Sequence, residues 1–384
     1  MIIVAAILAI FVYGMIAAML GTLLPALSRT FSLTPEQNGI IALAQGLGLA
    51  IASVSVGPLI DNRGKKTGLL LGLGLVAASL FALPNAAGYG MIIACFFALG
   101  VGGGIIVTGA NTLVSDVGQN RRAMLMNFLN LFFGLGGLAT PFIAANLLAG
   151  DPYTLCYLTA ALTVAAWGVH LFAPIPPPTG ERGFRLAEAG GLVSRPALWL
   201  LSLFLFLYVA CEVGVWNWLP RYLQAQGVPA TESLNILSLG FALGLLVGRV
   251  AVAPILIKIK AETVTLCAAV LMAATTYAML QTTVTTMAWV AVFCAGLAMA
   301  PVFPTTLAMV GDAFSRATAT AMGIVITFGW IGLTVSSPII GGIAGDDPGR
   351  LGTALLVLPA FSAVMIAVNV VLRPVLARHK AATS

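Results

Sequence analysis

Charged residues are scarce in this sequence. Of its 384 residues only 8% are Asp, Glu, Lys or Arg, whereas 60% are hydrophobic. A soluble domain carries roughly 25% charged residues, so this composition excludes an ordinary soluble enzyme. It indicates a protein that crosses a membrane several times and has the lipid bilayer as its surroundings.

Residues that bind metals or form disulfides are also few. The chain has two histidines and five cysteines, and all five cysteines fall within apolar segments. An odd number of cysteines without metal-ligand spacing predicts neither a disulfide framework nor a metal site, so we expect no cofactor. No His, Asp and Ser cluster suited to catalysis lies within the apolar segments, and the sequence therefore does not predict an enzyme.

Long polar stretches are nearly absent as well. The formal net charge is +6, but the basic residues are scattered over short loops and form no run that would indicate a nucleic-acid partner. The one long polar interruption runs from Pro174 to Arg195, and its proline and glycine content is typical of a linker.

Long apolar segments fill the rest of the chain. A membrane helix needs about 20 mostly apolar residues. The first segment begins at Met1 without a preceding basic residue, which indicates a membrane helix rather than a signal peptide. We predict an all-α membrane protein with twelve transmembrane helices, near 2–27, 36–60, 67–88, 90–116, 123–149, 152–173, 196–224, 231–257, 261–281, 285–312, 317–344 and 352–376.

The basic residues predict the orientation. With the N-terminus inside, fourteen Lys and Arg residues become cytoplasmic and three become external, while Arg249 stays within a segment. Enrichment of Lys and Arg on the cytoplasmic side is the general bias of membrane proteins. We therefore expect a multi-pass protein of the inner (plasma) membrane with both termini in the cytoplasm.

The two halves of the chain repeat each other. A shift of 196 positions lays Glu36–Thr67 on Glu232–Thr263 without gaps, and ten of the 32 pairs are identical, Gly48 and Gly244 among them. Two six-helix halves in the same orientation form a parallel repeat, whose solute site lies between the halves near the bilayer midplane. We predict an N-terminal half at 1–173, a cytoplasmic linker at 174–195 and a C-terminal half at 196–384 that ends in a short cytoplasmic tail.

One acidic residue, Glu212, lies deep inside an apolar segment. Ionisable groups at membrane depth are costly and usually face the bundle interior or a water-filled path. Trp216 lies four residues later and shares the same helix face, whereas Trp218 points elsewhere and is expected near the outer interface. This face is a candidate solute pathway. A purely structural glutamate, protonated or hydrogen-bonded between helices, is the alternative.

The loop after the second segment reads Gly57-Pro-Leu-Ile-Asp61-Asn-Arg63-Gly64-Lys65-Lys66. It resembles the loop signature of the major facilitator transporters, although Asn62 stands where a basic residue is usual. The resemblance implies a gate in which Asp61 meets the start of a neighbouring helix, helped by the helix dipole, with Arg63 and Lys65 beside it. A generic positively charged cytoplasmic loop is the alternative.

Further motifs resemble the branch of this superfamily that contains fucose permeases and sodium-dependent glucose transporters. They are Tyr208-x3-Glu212-x3-Trp216-x-Trp218-x3-Tyr222, Gly248-Arg249, Ala110-Asn111, Asn127-x6-Gly134-x-Gly136 and Phe303-Pro304-Thr305. The resemblance implies sugar uptake coupled to protons or sodium ions. Fucose-permease-like symporters carry acids where this chain has Gly21 and Val107. Glu212 is then the candidate for cation coupling.

In a major facilitator bundle, helices 1, 4, 7 and 10 line the centre, with 2, 5, 8 and 11 beside them. Sugar sites combine hydrogen-bonding groups with apolar and aromatic surfaces. Asn and Thr also join membrane helices to each other, so a structural role stays open for each of them. The candidate substrate-binding residues are Glu212, Trp216, Asn217, Asn111, Thr108, Asn127, Asn130, Gln45, Phe303, Thr305, Trp330 and Tyr13.

Arg249 is the remaining charge within a segment. Counted from the cytoplasmic ends of their helices, Glu212 and Arg249 differ in height by roughly 12 Å. No direct ion pair is therefore expected, and Arg249 is assigned either to the cytoplasmic gate or to an interfacial position reached by its long side chain.

Together these features predict a monomeric secondary active or facilitative transporter that moves a small polar solute, a sugar above all, by alternating access. A proton or a sodium ion would be the coupling ion, acting through Glu212. An exporter of amphipathic, drug-like compounds is the alternative within transport. A membrane sensor without transport activity is less well supported, because no signalling domain follows Arg373.

Overall fold

The computed structural model describes residues 1–117, 122–175, 194–282, 284–314 and 318–383. Within these ranges the regular secondary structure is helical, and the predicted fold class of a twelve-helix membrane protein is confirmed. The helices are α1 (Ile2–Phe31), α2 (Pro35–Arg63), α3 (Lys65–Ala82), α4 (Tyr89–Val117), α5 (Arg122–Asn146), α6 (Pro152–Phe172), α7 (Pro196–Ala225), α8 (Ala230–Asn235, Ile236–Ala242 and Leu243–Lys258), α9 (Ala261–Gln281), α10a (Thr285–Met299), α10b (Val302–Ala313), α11 (Thr318–Ala344) and α12 (Val357–Thr383).

Most of these helices suit a bilayer. Among the described residues, ten helical stretches are long and apolar enough to cross a membrane, and α5 contributes a shorter apolar stretch, Leu131–Asn146. Within each half, consecutive helices run in opposite directions because their connections are short, and the ends of α1 and α7 meet where Arg221 donates to the Ser28 hydroxyl. The start of α1 and the end of α12 therefore lie at one end of the bundle, here called the termini side. The opposite end is the far side.

Three predicted segments differ from the structure. The tenth is interrupted between Met299 and Val302, because Pro301 has no N–H to donate and its ring displaces the preceding carbonyl. The eighth contains a π-helical stretch, Ile236–Ala242. The twelfth was expected to begin at residue 352, but a separate turn, Leu351–Ala354, precedes the long helix that starts at Val357.

Equivalent helix crossings occur in both halves. A Cβ at Gly48 of α2 would overlap the carbonyl oxygen of Phe97 in α4, and a Cβ at Gly244 of α8 would overlap that of Phe293 in α10a. The shift of 196 positions relates Gly48 to Gly244 and also Phe97 to Phe293. Small residues allow such close backbone approach between membrane helices, so the sequence repeat corresponds to a repeat of packing.

Related caps precede the last helix of each half. Asp151 lies directly before α6 and accepts hydrogen bonds from the backbone N–H groups of Tyr153 and Thr154. Asp347, 196 positions later, caps a short 3-10 helix, Pro348–Arg350, ahead of α12, and accepts a hydrogen bond from Gly349 N at 2.8 Å. Carboxylates at such positions satisfy N–H groups that have no partner within the helix.

Each half packs around its own core. One cluster of buried apolar side chains is drawn from residues between Ala197 and Leu376, whereas another is drawn from residues between Ala6 and Ala166, with Leu234 as an addition from α8. The space between the two cores is therefore where a site shared by both halves would lie.

Hydrogen bonds between the halves cluster on the far side. Arg221 of α7 donates to the Ser28 hydroxyl and, at 2.9 Å, to the carbonyl oxygen of Leu33. Arg29 donates to Gln224 at 2.8 Å. Two further links on this side join Asn146 to Asn235 and the Ser238 hydroxyl to the carbonyl oxygen of Leu138. The bundle is closed at this end.

Candidate functional site

Aromatic side chains from both halves meet near the centre of the bundle. Tyr13 of α1 packs on Phe133 of α5 with 5.2 Å between ring centroids. Trp216 of α7 meets Phe241 in the π-helical part of α8 edge to face, at 5.3 Å. The Trp216 ring also reaches across to α5, because a Cβ at Gly137 would lie 3.3 Å from its Cη2 atom. Trp216 therefore spans the interface.

Trp330 and Phe303 differ in their surroundings. Trp330 lies on α11, in the second half of the chain, yet packs against the core of the first half. Phe303 of α10b packs against the core of its own half. Both side chains are half-buried. Of these two, Trp330 contacts the opposite half, as Trp216 does, and Phe303 packs within its own half.

Glu212 lies one helical turn before Trp216 and is half-buried. Tyr208 lies one turn before Glu212 and is completely buried. The Tyr208 hydroxyl does not complete a well-formed hydrogen bond.

Glu212 and Arg249 form no ion pair within 4 Å in the described part of the chain. Arg249 is half-buried, and its Nε atom is buried without a hydrogen-bond partner. The Tyr208 hydroxyl on α7 and the Arg249 Nε atom on α8 are thus two buried polar atoms without a hydrogen-bond partner.

The predicted amide side chains have partners inside the bundle. Gln45 donates to the carbonyl oxygen of Ile16 on α1 at 3.4 Å, and Asn111 donates to Val107 of its own helix at 2.8 Å. Both are half-buried, as is Thr108. Asn217 is buried and donates to the Ser337 hydroxyl of α11 at 2.9 Å. The Asn217 amide thus links α7 to α11 within the second half.

Thr305 is also buried, and its hydroxyl has no hydrogen-bond partner. It lies in the first turn of α10b, directly after the break at Pro301. Broken helices at membrane depth are tolerated where the backbone is buried in protein or lines a cavity.

The predicted gate is only partly described. Asp61 lies on α2, but its side chain falls outside the described part of the structure, as do the side chains of Asn127 and Asn130 on α5. Arg63 is exposed at the end of α2, whereas Lys65 is buried at the start of α3.

The expectation for one tryptophan needs correction. Trp218 was expected at the outer interface but is completely buried within the second core. Its position along the helix does not tell which face of the helix is covered. Arg221, one of the three basic residues counted as external, lies near the far-side end of α7, is only 7% exposed and binds the first half.

Gly21 has a structural role that its sequence pattern did not reveal. A Cβ at this position would overlap the carbonyl oxygen of Trp216 and lie 3.1 Å from the Cα atom of Asn217. An acidic side chain therefore does not fit at position 21 in this conformation. Because Gly21 has no side chain, the backbone of α1 contacts the backbone of α7 directly. This contact, at Trp216, lies nearer the far side of the bundle than Glu212 does.

Sequence reasoning missed Tyr208, Phe133 and Phe241 as neighbours of the predicted site. Tyr208 had a usable signal, because it lies four residues before Glu212 and so shares its helix face. The two phenylalanines had none, because any apolar position of a membrane helix accepts phenylalanine. No group of three or more His, Cys, Asp or Glu residues suited to a metal ion occurs in the searched, described part of the chain.

Comparisons with known proteins agree with this architecture. The model of the family described as Major Facilitator Superfamily matches residues 6–260 and 230–384. A glucose/galactose transporter of Brucella abortus is 25% identical over 260 residues, which is 62% of this chain and 63% of the relative. A gallate transporter of Pseudomonas putida is 25% identical over 291 residues, covering 62% of this chain and 61% of the relative. The chain thus matches less than two thirds of the length of these relatives.

Solved structures share the fold at low sequence identity. The nucleoside transporter NupG superposes with a TM-score of 0.81 at 12% identity, over 97% of this chain and 98% of NupG. The D-xylose-proton symporter gives 0.73 at 16% identity, over 94% and 96%. The E. coli fucose:proton symporter FucP gives 0.66 at 18% identity, over 96% and 98%. These neighbours are transporters and not enzymes. Because the family model matches nearly the whole length of the chain, the chain belongs to the Major Facilitator Superfamily.

Proposed function

We propose that this protein is an alternating-access transporter of a small polar solute, in the first place a sugar. The observation that carries the proposal is the Glu212–Trp216 face of α7, whose Trp216 ring reaches Gly137 of α5 in the other half, four residues after the Phe133 that packs on Tyr13. The B. abortus glucose/galactose transporter and the two sugar-proton symporters among the structural neighbours support a sugar as the solute.

The chemistry of the face suits a sugar. The Glu212 carboxylate accepts hydrogen bonds from hydroxyl groups, and Gln45 and Asn111 keep oxygen atoms that accept more. The faces of Trp216 and Trp330 cover the apolar side of a sugar ring. Such a combination of a few polar groups with a largely apolar wall is typical of small-molecule sites.

The closed far side defines where the cycle begins. Solute reaches the centre from the termini side, which the distribution of Lys and Arg assigns to the cytoplasm. Rocking of the halves then breaks the contacts of Arg221 and Arg29 and opens the external side. Asp61, Arg63 and Lys65, with Arg249 deeper in α8, would close the cytoplasmic side in that second state. In this proposal the protein lies in the inner membrane with both termini in the cytoplasm.

Cation coupling is assigned to Glu212, because Gly21 and Val107 stand where fucose-permease-like symporters carry acids. Purified protein in proteoliposomes is tested for accumulation of D-glucose, D-galactose, D-xylose and L-fucose under a proton gradient, a sodium gradient and no gradient. We expect accumulation of at least one sugar under one gradient, and only gradient-independent exchange for Glu212→Gln. Unchanged gradient-driven accumulation by Glu212→Gln would remove this residue from coupling.

A second candidate solute is a planar amphipathic compound, and here the protein would act as an exporter. The four central aromatic rings favour it, as does the similarity to a gallate transporter. A thermal-shift screen separates the two candidates. Stabilisation by sugars supports the first candidate, and stabilisation by aromatic acids or lipophilic cations alone supports the second.

A further inference from the structure

The second half has an outward-facing groove on its termini side. A cavity of about 260 Å³ is enclosed there by α8, α9 and the end of α10a. Its lining residues are aliphatic, small or sulfur-containing, with Thr263 as the one hydroxyl group. Ile255 and Ile259 on one wall are each 44% exposed, and Leu271 on the other is 54% exposed. The groove is therefore open along its length to the lipid that surrounds the bundle.

The groove extends from the end of the bundle to about the middle of the bilayer. Ile259 and Thr263 lie at the termini-side ends of α8 and α9, whereas Gly248 and Leu271 lie eleven and eight residues further in. At 1.5 Å per residue these separations correspond to roughly 12–17 Å. One leaflet occupies about half of a hydrocarbon core that is about 30 Å thick. The groove thus has the length of one leaflet.

The corresponding place in the first half is filled by side chains. Four buried residues form a small apolar cluster there, with Val101 packed against it: Ala52, Val56, Ile60 and Ile105. The shift of 196 positions relates them to Gly248, Val252, Leu256 and Pro301. The second half therefore lacks the methyl group of Ala52 and the side chain of Ile105, and three of its four counterpart residues line the groove instead.

Small residues that close the first half are replaced in the second. A Cβ at Gly72 of α3 would lie 3.0 Å from the carbonyl oxygen of Gly102 in α4, so these two backbones are in contact. The shift of 196 positions relates the two glycines to Ala268 of α9 and Ala298 of α10a. Methyl groups at both positions prevent such close approach of two helices. Both alanines line the groove, so these substitutions account for its width.

Cationic side chains surround the mouth of the groove. Lys258 ends α8 and Lys260 directly precedes α9, and both are exposed on either side of Ile259, which lines the groove. Arg373 of α12 donates to the carbonyl oxygen of Glu262 at 3.1 Å. Glu262 is the one acidic residue between Lys258 and the end of α9. The three cations outnumber it, so the mouth attracts negative charge.

We propose that this groove binds one anionic phospholipid of the termini-side leaflet. Its phosphate lies at Lys258 and Lys260, and one acyl chain follows Cys267 and Leu271 towards the helix break at Pro301. An apolar groove alone would accept any lipid tail, whereas lysines at a membrane surface add a preference for negative headgroups. The site faces away from the central aromatic side chains, so it does not depend on which solute is transported.

Native mass spectrometry of the purified, delipidated full chain tests the preference. Phosphatidylglycerol and phosphatidylcholine with the same oleoyl chains are titrated separately, and glycerol phosphate represents the headgroup without chains. We expect the first phosphatidylglycerol to bind about tenfold more tightly than phosphatidylcholine, because two lysines contribute at the mouth. Glycerol phosphate should not compete. Equal affinity of the two lipids, or displacement of the lipid by glycerol phosphate, would overturn the proposal.

A charge variant tests the mouth of the groove. Lys258→Gln combined with Lys260→Gln should remove the preference for phosphatidylglycerol. Arg195→Gln is the matched control, because Arg195 is an exposed cation on the same side of the bundle, directly before α7 and outside the groove. A preference that persists in the lysine variant, or that disappears in Arg195→Gln, would contradict the assignment of the headgroup.

A second pair of variants tests the acyl-chain path. Cys267→Trp fills the groove from an exposed position on α9, and Val270→Trp adds the same ring at an exposed position of α9 outside the groove. Preferential binding should be lost in Cys267→Trp and kept in Val270→Trp. Equal binding by the two variants would contradict the chain path.

The unmodified chain provides a readout that needs no variant. Cys267 is an exposed thiol within the groove, whereas Cys294 lines a separate groove nearer the far side. Saturating phosphatidylglycerol should slow alkylation of Cys267 by N-ethylmaleimide and leave the rate at Cys294 unchanged, as peptide mass spectrometry measures. Alkylation of Cys267 at an unchanged rate would overturn the proposal.

Discussion

The two halves of the molecule share one helical frame but differ in the charge that they place within it. Their crossings at Gly48 and Gly244 correspond, as do the caps at Asp151 and Asp347. The charged residues Glu212 and Arg249, in contrast, have the neutral counterparts Ala17 and Ser53, at shifts of 195 and 196 positions. The comparison teaches that close packing and helix initiation are common to both halves, whereas the charges within the frame occur in only one half.

The halves also differ where α1 and α7 meet. The shift of 195 positions relates Gly21 to Trp216, and these two positions contact each other directly. The second half thus supplies the large Trp216 ring, and the first half supplies Gly21, which leaves space for the Trp216 backbone. Ala26 and Arg221 correspond in the same way, and only the arginine reaches across to the other half.

The largest expected effect comes from removing the free space at Gly21. In Gly21→Ala the new Cβ overlaps the Trp216 carbonyl oxygen, and overpacking of this kind costs about 1–3 kcal/mol in the closed state. The equilibrium should shift about 5- to 150-fold towards a far-side-open state. Labelling of Thr22→Cys, a position that is 6% exposed here, measures the shift from the external side.

The matched control for this prediction is Gly342→Ala, because a Cβ at Gly342 of α11 meets no atom within 4 Å. It should leave the labelling rate of Thr22→Cys unchanged. Equal labelling of the Gly21 and Gly342 variants would show that the α1–α7 contact does not hold the far side closed.

A second prediction concerns the two arginines of the far side. Arg221→Gln loses two hydrogen bonds of a buried side chain to the first half, whereas Arg29→Gln loses a single exposed hydrogen bond to Gln224. External labelling of Thr22→Cys should therefore rise much more in Arg221→Gln. If Arg29→Gln has the larger effect, the buried arginine is not the principal link between the halves.

A third prediction separates the central tryptophan from a peripheral one. Trp216→Ala should weaken sugar binding about tenfold, which corresponds to about 1.4 kcal/mol, because the ring that spans the halves is lost. Trp199 of α7 is 41% exposed near the termini side, and Trp199→Ala should leave the affinity within twofold. Isothermal titration of the bound sugar measures both, and similar losses for the two variants would contradict the assignment of Trp216.

The smallest effect is expected at the helix caps, where the two halves resemble each other. Asp151→Ala and Asp347→Ala should each lower stability by about 1 kcal/mol. The Thr154 hydroxyl, together with the backbone N–H groups of Tyr153 and Thr154, lowers the pKa of Asp151. A lowered pKa contributes stability above the unfolded value near 3.9, and the contribution is lost as pH falls through the folded value.

Tm measurements from neutral pH down to about pH 3 check this prediction. The difference between the wild type and Asp151→Ala should be constant near neutral pH and shrink below about pH 4. A difference that grows on acidification would show that the carboxylate does not act as a cap.

Much of the frame could be predicted from the sequence, because a bilayer requires about 20 apolar residues for each crossing. The repeat around Gly48 and Gly244 predicted two equivalent halves. The structure adds that both glycines lie at equivalent helix crossings, where two backbones in contact tolerate only small residues. The break after Met299 was missed, although Pro301 marked it, because the hydropathy of the segment continues across the proline.

The candidate site was less predictable. Glu212 could be identified because an acid deep in an apolar helix is costly and usually faces the bundle interior or a water-filled path. The neighbours of this face on other helices were not predictable, because they depend on how α7 rotates against the helices around it. The same rotation decides that Trp216 faces the other half while Trp218, two residues later, is buried in its own core.

The most direct test of the central claim is equilibrium exchange of a labelled sugar across proteoliposome membranes, with the wild type compared with Glu212→Gln and Trp216→Ala. The account predicts exchange of D-glucose, D-galactose, D-xylose or L-fucose by the wild type and a loss of affinity of tenfold or more in both variants. Exchange with unchanged affinity in both variants would contradict a solute site on the Glu212–Trp216 face of α7.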